Sequence, residues 1–585
     1  MNKIFKAAAS ALLCACFCLP FAACGRGGGG FDENENPEDV TSITVFKNDW
    51  ASFNTAREAN SPVYAAVKEA VGVDIVAESG SGETWQTQLM LRQTDGDLPE
   101  IFLTNGPQSP DFFESLIAEG DIIAISDYVN ESTKDTYPNL YEHMQQFDYM
   151  KNNISYAEGK TWFIPTTWEN EKSLYVRQDW IDNLNDKLAS ILVSDGIISS
   201  ESEMTDDLYE KWKFTLPTNL VEFYRLARAF TIYDPDGNGQ NDTTGYFSES
   251  NKDMDSWVYI AFGTGWNNWV YDEEEGGYVP AELTDESMYA TAFLNKLMAD
   301  GYMSKDSITA DNSAKQDRFM QGKVGMIYAQ NWLNTFVSGL MDVYNCSIEE
   351  ATAKVAMVEP PAGRDGAYGG AGQNGYWQGY CINGRMSEAR IAKCLKLFDY
   401  LYSDEGIELI LYGVEGVHYT EDAEGNKTTL LEANDKGFYP NIQSVDSATQ
   451  LYGLVYWTGH YGVETVTNGD LSAEAMERSA ACLYREDYPD LQTDSMIKYR
   501  KGAYDFFWTT IDNVENDSNG MFAADWTYDA KTFGWEQIYT VSSNMQGKWR
   551  SFVKEYKEDY SGQDMIDEYN EYVASGKAQK VNNVS

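Results

Sequence analysis

Residues 233–242 read YDPDGNGQND, the most chemically marked decapeptide in the chain. Asp234, Asp236 and Asn238 stand two residues apart, Gly237 and Gly239 fall among them, and Asp242 follows. That spacing aims oxygen after oxygen into one turn, and hard oxygen donors suit calcium. Counted as a twelve-residue calcium loop, Asp234, Asp236 and Asn238 take positions 1, 3 and 5. Gln240 offers its main-chain carbonyl at position 7, Asp242 stands at 9, and Gly239 supplies the sharp turn at 6. Position 12, where such loops carry a bidentate Glu, is Gly245, and position 10 is Thr243, so the sixth ligand is open. With no histidine or thiol nearby, the ion would pin a loop and activate no water, which makes it a structural calcium. The alternative is an Asx-rich turn that needs no metal.

Catalytic signatures are sparse. His143, His418 and His460 are the only histidines, so there is no HExxH pattern, and a Ser-His-Asp set lacks an identifiable helper. Residues 370–375 match GxGxxG formally, but no predicted strand precedes them and no helix follows, so they read as a loop. A carboxylate pair could support glycosidase chemistry, yet with 92 acidic residues any such pair proves nothing. The aromatic clusters say more. GTGWNNWVY holds Trp266, Trp269 and Tyr271, AQNWLN joins Asn331 to Trp332, YWQGY gives Tyr376 and Trp377, and YGVEGVHY gives Glu415 and His418. Flat rings beside amides and carboxylates suit sugars, whose C–H faces stack while their hydroxyls take hydrogen bonds. Trp50, Trp168, Trp266, Trp332 and Trp377 lead the candidate ligand-binding set. Asn105, Arg177, Trp269, Asn331, Tyr376, Glu415 and His418 complete it. For each single ring the alternative is core packing.

These side chains need elements to place them. SITVF, VDIVAES and EIFLTN read as strands, separated by helices at SPVYAAVKEAVG and WQTQLMLRQ. Ser61 caps the first helix, Pro62 takes its first position and Gly72 ends it. Such β-α-β-α-β order implies a parallel sheet covered by helices. Its ligands belong beyond the carboxyl ends of the strands, here near Asn48-Asp49-Trp50, Glu78-Ser79 and Thr104-Asn105. Ile164 to Trp168 reads as a crossing into a second lobe, and YWQGYCI as a return crossing. A helix opens at Thr218 with Leu220, Phe223, Ala227 and Phe230 on one face, directly before the calcium-like loop. Another, capped by Ser387, turns Ile391, Cys394, Leu395, Phe398 and Tyr402 inward.

At 585 residues the chain exceeds one compact core. Its formal charge of −49 repels phosphate backbones, which argues against nucleic acid as a partner. Lys3 and Lys6 precede the apolar run AAASALLCACFCLPFAAC, the order of a secretory signal. Phe21-Ala22-Ala23-Cys24 resembles a bacterial lipobox, with Cys24 acylated and anchoring the chain to the outer face of the cytoplasmic membrane. Ordinary signal cleavage or a short membrane anchor is the alternative. A Gly-rich, acidic tether follows. Cys346, Cys381, Cys394 and Cys482 are widely spaced without CxxC and read as buried thiols, one disulfide remaining open.

Taken together, the lipobox, DGDLPEIFLTN, WFIPTTW…LYVRQDWIDNL, DPDGNGQNDT, FMQGKVGMI and EARIAKCLKLFDYLYSDEGIELILYGVEGVHY resemble the large LplA-type branch of extracellular solute-binding proteins, family 1. The alginate-binding proteins belong to the same broad group. The resemblance runs from about residue 40 to about 560. It implies an α/β, periplasmic-binding-protein-like type II fold, with two α/β lobes joined by a multi-segment hinge. Residues 1–23 would be the signal peptide and 24–40 the tether. Residues 41–165 plus 376–440 would form lobe 1, 166–375 plus 441–560 lobe 2, and 561–585 a C-terminal tail. The implied job is capture of an oligosaccharide and its delivery to the permease subunits of an ABC importer, by a monomer without a catalytic step. A surface sugar-binding adhesin or sensor and a secreted glycosidase are the other readings.

Overall fold

The computed structural model describes residues 35–49, 60–81, 84–106, 110–145, 160–166, 172–249, 255–265, 269–273, 275–330, 333–371, 378–437, 449–455, 483–484 and 526–576. Nine strands among these build two sheets. The first has the order β2-β1-β3-β9-β4, from β1 (Ser42–Asp49), β2 (Asp74–Ser81), β3 (Ile101–Thr104), β4 (Ile164–Pro165) and β9 (Gly379–Ile382). Strand β1 pairs in parallel with both β2 and β3, as the alternating strand-helix order requires. Strand β9 runs antiparallel between β3 and β4, so Gly379 lies level with Thr104 on one side and Pro165 on the other. The second sheet has the order β8-β5-β7-β6, from β5 (Ser173–Arg177), β6 (Thr244–Phe247), β7 (Val324–Ala329) and β8 (Val355–Val358).

Helix signals in the sequence hold at the level of single hydrogen bonds. The Ser61 hydroxyl accepts the Tyr64 N–H at the start of α1 (Pro62–Val71), and Gly72 ends it in the left-handed region at φ 81°. Helix α2 (Trp85–Asp95) follows β2, and α3 (Pro138–Gln145) precedes the first crossing. Helix α4 (Gln178–Asp186) continues directly from β5. In α5 (Leu220–Ile232) the cap is Asn219, one residue later than the Thr218 start read from sequence, because its Oδ1 takes the N–H groups of Val221 and Glu222. Helix α6 (Leu333–Tyr344) follows β7. Ser387 caps α7 (Glu388–Leu401), and α8 (Asp404–Tyr412), α9 (Thr449–Val455), α10 (Ser543–Asp559) and α11 (Gly562–Ala574) complete the set used below.

Two main cores follow from these sheets. The first packs β1–β4 and β9 against α1, α7 and their neighbours, around Ile43, Val45, Ile101, Phe102, Cys381 and Phe398. The second surrounds β5–β7 with α4, α5 and the C-terminal helices, through Trp180, Phe223, Phe230, Met326, Trp549 and Tyr569. Two segment boundaries read from sequence need correction. Leu451, Leu454 and Val455 of α9 pack into the first core, although 441–560 was expected in the second lobe. Helix α11, expected within a C-terminal tail, buries Met565, Ile566 and Tyr569 in the second core. Its apolar residues recur at helical spacing, so the burial has a visible cause.

The chain leaves the first sheet at β4, and that exit is tied down twice. The buried Nε2 of His143 donates to the Pro165 carbonyl at 2.7 Å, and the Tyr402 hydroxyl donates to the same oxygen at 3.2 Å. The two rings stack with centroids 3.7 Å apart. Burial disfavours the imidazolium and lowers the His143 pKa to about 4, the Pro165 carbonyl pulling weakly the other way. The unfolded chain takes up that proton near pH 6.5, so this term is constant above pH ~6.5 and stability falls as pH drops toward 4. The gap corresponds to about 3 kcal/mol at most. Urea unfolding between pH 7 and 4.5 is therefore expected to show a shallower loss for His143→Gln, which keeps an N–H donor without titrating, than for wild type. Parallel pH profiles would contradict this role.

Candidate functional site

The carboxyl ends of β1, β3 and β4 and the amino end of β9 share one edge of the first sheet. The buried side chains there are polar and uncharged, namely Asn48, Thr104, Thr166 and Gln378, with Asn105 beside them. Hydrogen bonds link the edge residues across strands. Gln378 Nε2 donates to Asn105 Oδ1 at 2.6 Å, while the Gln378 carbonyl accepts both the N–H and the hydroxyl of Thr166, each at 2.9 Å. This ties the two chain crossings to each other and to the end of β3.

The second sheet presents the corresponding edge at Ser173, Ser248, Glu249 and Gln330, because β5 runs antiparallel to β7 and β6 parallel to it. Beneath it lies a buried polar cluster. Lys315 is fully buried, donates to the Tyr328 carbonyl at 2.8 Å and pairs with Glu249 at 3.0 Å. Burial lowers its pKa, with Glu249 opposing the shift. Asp255 accepts the hydroxyls of Tyr246 at 2.9 Å and Ser248 at 2.8 Å, so each charge has a partner. Thr166 on one edge and Lys172 beside the other are six residues apart, which limits their separation to about 20 Å. Both edges therefore border the same crossing. That is the geometry in which α/β sheets hold ligands.

Of the candidate ligand residues, Asn105 lies on this edge. Trp50, Trp168, Trp266, Asn331, Trp332, Tyr376 and Trp377 fall outside the described residues, as does Cys24. Four others are placed elsewhere. Arg177 stands at the opposite end of β5 from Ser173, fully buried, bidentate to Asp179 at 2.9 and 2.7 Å and held between the rings of Trp180 and Tyr344. Its guanidinium joins β5 to α4 and α6. Trp269 is stacked on Tyr569 at 3.8 Å in the second core. His418 is buried, its Nδ1 accepting the Val414 N–H at 2.9 Å, which shapes the turn after α8. Glu415 is exposed on that same turn. Sequence reading passed over Asn48, Thr166, Gln378, Glu249 and Lys315. Asn48 carried a signal, since it ends a predicted parallel strand, but the neighbouring Trp50 drew the assignment.

The loop at 234–242 closes as a tight Asx-rich turn. Asp234, at φ 47°, accepts the Gly239 N–H at 3.1 Å, and Asn238 Nδ2 donates to Asp236 at 2.7 Å and to Asp242 at 3.1 Å. Burial and the adjacent Asp234 carboxyl raise the Asp236 pKa, and Asp234 Oδ1 is buried without a hydrogen-bond partner. Among the described residues no three His, Cys, Asp or Glu side chains converge closely enough to hold a metal by themselves. The donor set fits calcium only with Asn238 and the main chain included. Packing explains the missing ligands. A Cβ on Gly245 would stand 2.1 Å from the Ala227 carbonyl oxygen, so position 12 has no room for Glu, and the Thr243 hydroxyl is spent on the Phe230 carbonyl at 2.8 Å. Both residues serve the packing of β6 on α5.

Comparison with known proteins agrees with this architecture. Residues 54–407 match the family model for bacterial extracellular solute-binding proteins. The polygalacturonan/rhamnogalacturonan-binding protein YtcQ of Bacillus subtilis is 24% identical over 362 residues, 60% of this chain and 62% of that protein's length. Among solved structures, an HMO-binding, ABC-transporter-associated solute-binding protein from Bifidobacterium longum infantis superimposes with a TM-score of 0.61 at 14% identity, covering 92% of this chain and all of that one. FusA of Streptococcus pneumoniae, in complex with kestose, does so with a TM-score of 0.57 at 15% identity, again over 92% of this chain and all of that one. With two α/β sheets meeting at paired crossings and the family model spanning more than half its length, the chain belongs to the bacterial extracellular solute-binding proteins.

Proposed function

We propose that the protein captures an oligosaccharide between its two lobes and delivers it to the permease of an ABC importer, while a lipid on Cys24 holds it at the outer face of the cytoplasmic membrane. The observation that carries this reading is the edge of the first sheet. Its buried, uncharged amides and hydroxyls offer hydrogen bonds of the kind sugar hydroxyls take, beside crossings that allow one lobe to move against the other. The ligands of two relatives, polygalacturonan for YtcQ and kestose for FusA, support a saccharide and differ in charge. Binding without turnover is part of the proposal. Titration calorimetry against kestose, maltotriose, xylotriose and trigalacturonate, followed by chromatography of the mixtures, should show saturable binding of at least one saccharide and no shorter product. Release of cleaved sugar would favour the glycosidase reading, and absence of binding across the panel would count against saccharide capture.

The 234–242 loop is proposed to hold a structural calcium through Asp234, Asp236, Asn238, the Gln240 carbonyl and Asp242. A site lacking the bidentate Glu belongs with weak extracellular modules, with dissociation constants on the order of 10⁻⁴–10⁻³ M. At tenfold excess over such a constant, calcium would add about 1.4 kcal/mol of stability. EDTA should therefore lower the melting temperature relative to calcium-containing buffer, and Asp236→Ala should remove that difference without changing which saccharide binds. Equal melting in EDTA and in calcium would contradict a metal here.

A further inference from the structure

Two amides on the first sheet's edge have polar groups without partners. Asn48 lies one residue before the end of β1 and is 1% exposed, and neither its Oδ1 nor its Nδ2 makes a hydrogen bond. Gln378 is 5% exposed; its Nε2 is taken by Asn105, while its Oε1 has no partner. A buried polar group left unpaired is costly, whereas an apolar side chain of similar shape in its place would be neutral or stabilising. Packing gives no reason for an amide at Asn48. Its position at the carboxyl edge gives one: a ligand that brings its own donors and acceptors.

The chemistry of that ligand can be narrowed. A primary amide sets an acceptor beside a donor, so Asn48 matches two neighbouring hydroxyls, one donating to Oδ1 and the other accepting from Nδ2. A carboxylate would satisfy only Nδ2 and set its charge against Oδ1. Gln378 Oε1 can likewise only accept, which again selects a hydroxyl. Gln378 also stands at a junction, since its carbonyl holds Thr166 of the first crossing and its amide holds the end of β3. A hydroxyl donated to Oε1 thus bears on a residue fixed to both crossings.

We propose that Asn48 and Gln378 form a hydroxyl-reading subsite for a neutral saccharide on the first lobe, and that Gln378 couples its occupancy to the crossings. The inference rests on the saccharide-capture reading. Its test uses the full-length protein and three variants. Without saccharide, Asn48→Leu is expected to melt at or above wild type, because no hydrogen bond is lost; a drop of about 2–4 °C, the equivalent of roughly 1 kcal/mol in a domain of about 150–250 residues, would show the amide already satisfied and overturn the proposal. With kestose, maltotriose, xylotriose and trigalacturonate as probes, a neutral saccharide should bind wild type most tightly. Both Asn48→Leu and the smaller Asn48→Ala should bind it at least tenfold more weakly. Unchanged affinity in both, or tightest wild-type binding of trigalacturonate, overturns the subsite while leaving saccharide capture intact. Wild type that binds no probe overturns saccharide capture and the subsite together. At saturating saccharide, small-angle scattering should show full compaction for Asn48→Ala and reduced compaction for Gln378→Met; equal compaction in the two overturns the coupling role.

Discussion

Two main-chain carbonyls, those of Pro165 and Gln378, anchor the points where the chain leaves the first sheet and returns to it. Both sit where a sheet ends and the chain departs, so each needs a donor from beyond the regular pairing or from its last rung. Carbonyls buried without donors would be costly. Here Pro165 receives His143 and Tyr402, and Gln378 receives Thr166 twice. The short antiparallel pairing of β4 with β9 then fixes the two crossings side by side. From that anchorage follows the placement of Asn105 and Gln378 at the junction.

Charge is used differently in the two halves. The buried side chains at the first sheet's edge carry no charge, whereas the second stands over the Lys315–Glu249 pair and Asp255. A buried ion pair adds little net stability, but losing one member is severe because the other charge is stranded. The cluster therefore fixes the end of β6 in position. Arg177 does the same at the far end of that sheet, where its Nε and Nη2 donate to Asp179 and Tyr344 and its guanidinium lies against two ring faces. The R-x-D-W motif is thus a packing device, although an arginine with a nearby carboxylate looks, in sequence, like a ligand clamp.

Much of the fold was legible because its signals are local. Ser61, Pro62 and Gly72 bracket one helix, Ser387 opens another, and three short apolar strands alternate with helices at the start of the first sheet. What failed to show were properties that depend on distant partners. Nothing near Trp269 announces that Tyr569 will stack on it from three hundred residues away. Nor does the sequence around α9 say which core it joins. Of the candidate site, the strand-end rule located the edge, yet residue type misled within it. Aromatic rings drew the choice, while the unpaired amide of Asn48 and the unpaired Oε1 of Gln378 could be recognised only once burial and hydrogen bonds were known. Gly245 is the reverse case, a missing calcium ligand whose absence is explained by the Ala227 carbonyl it packs against.

Capture between lobes requires that the protein change shape when it binds, with the paired crossings as the pivot. Small-angle scattering of wild-type protein, with and without the saccharide that binds it most tightly, reads this directly. A smaller radius of gyration and a shortened maximum dimension are expected at saturation. Superimposable curves, with binding verified by calorimetry in the same sample, would contradict capture between lobes.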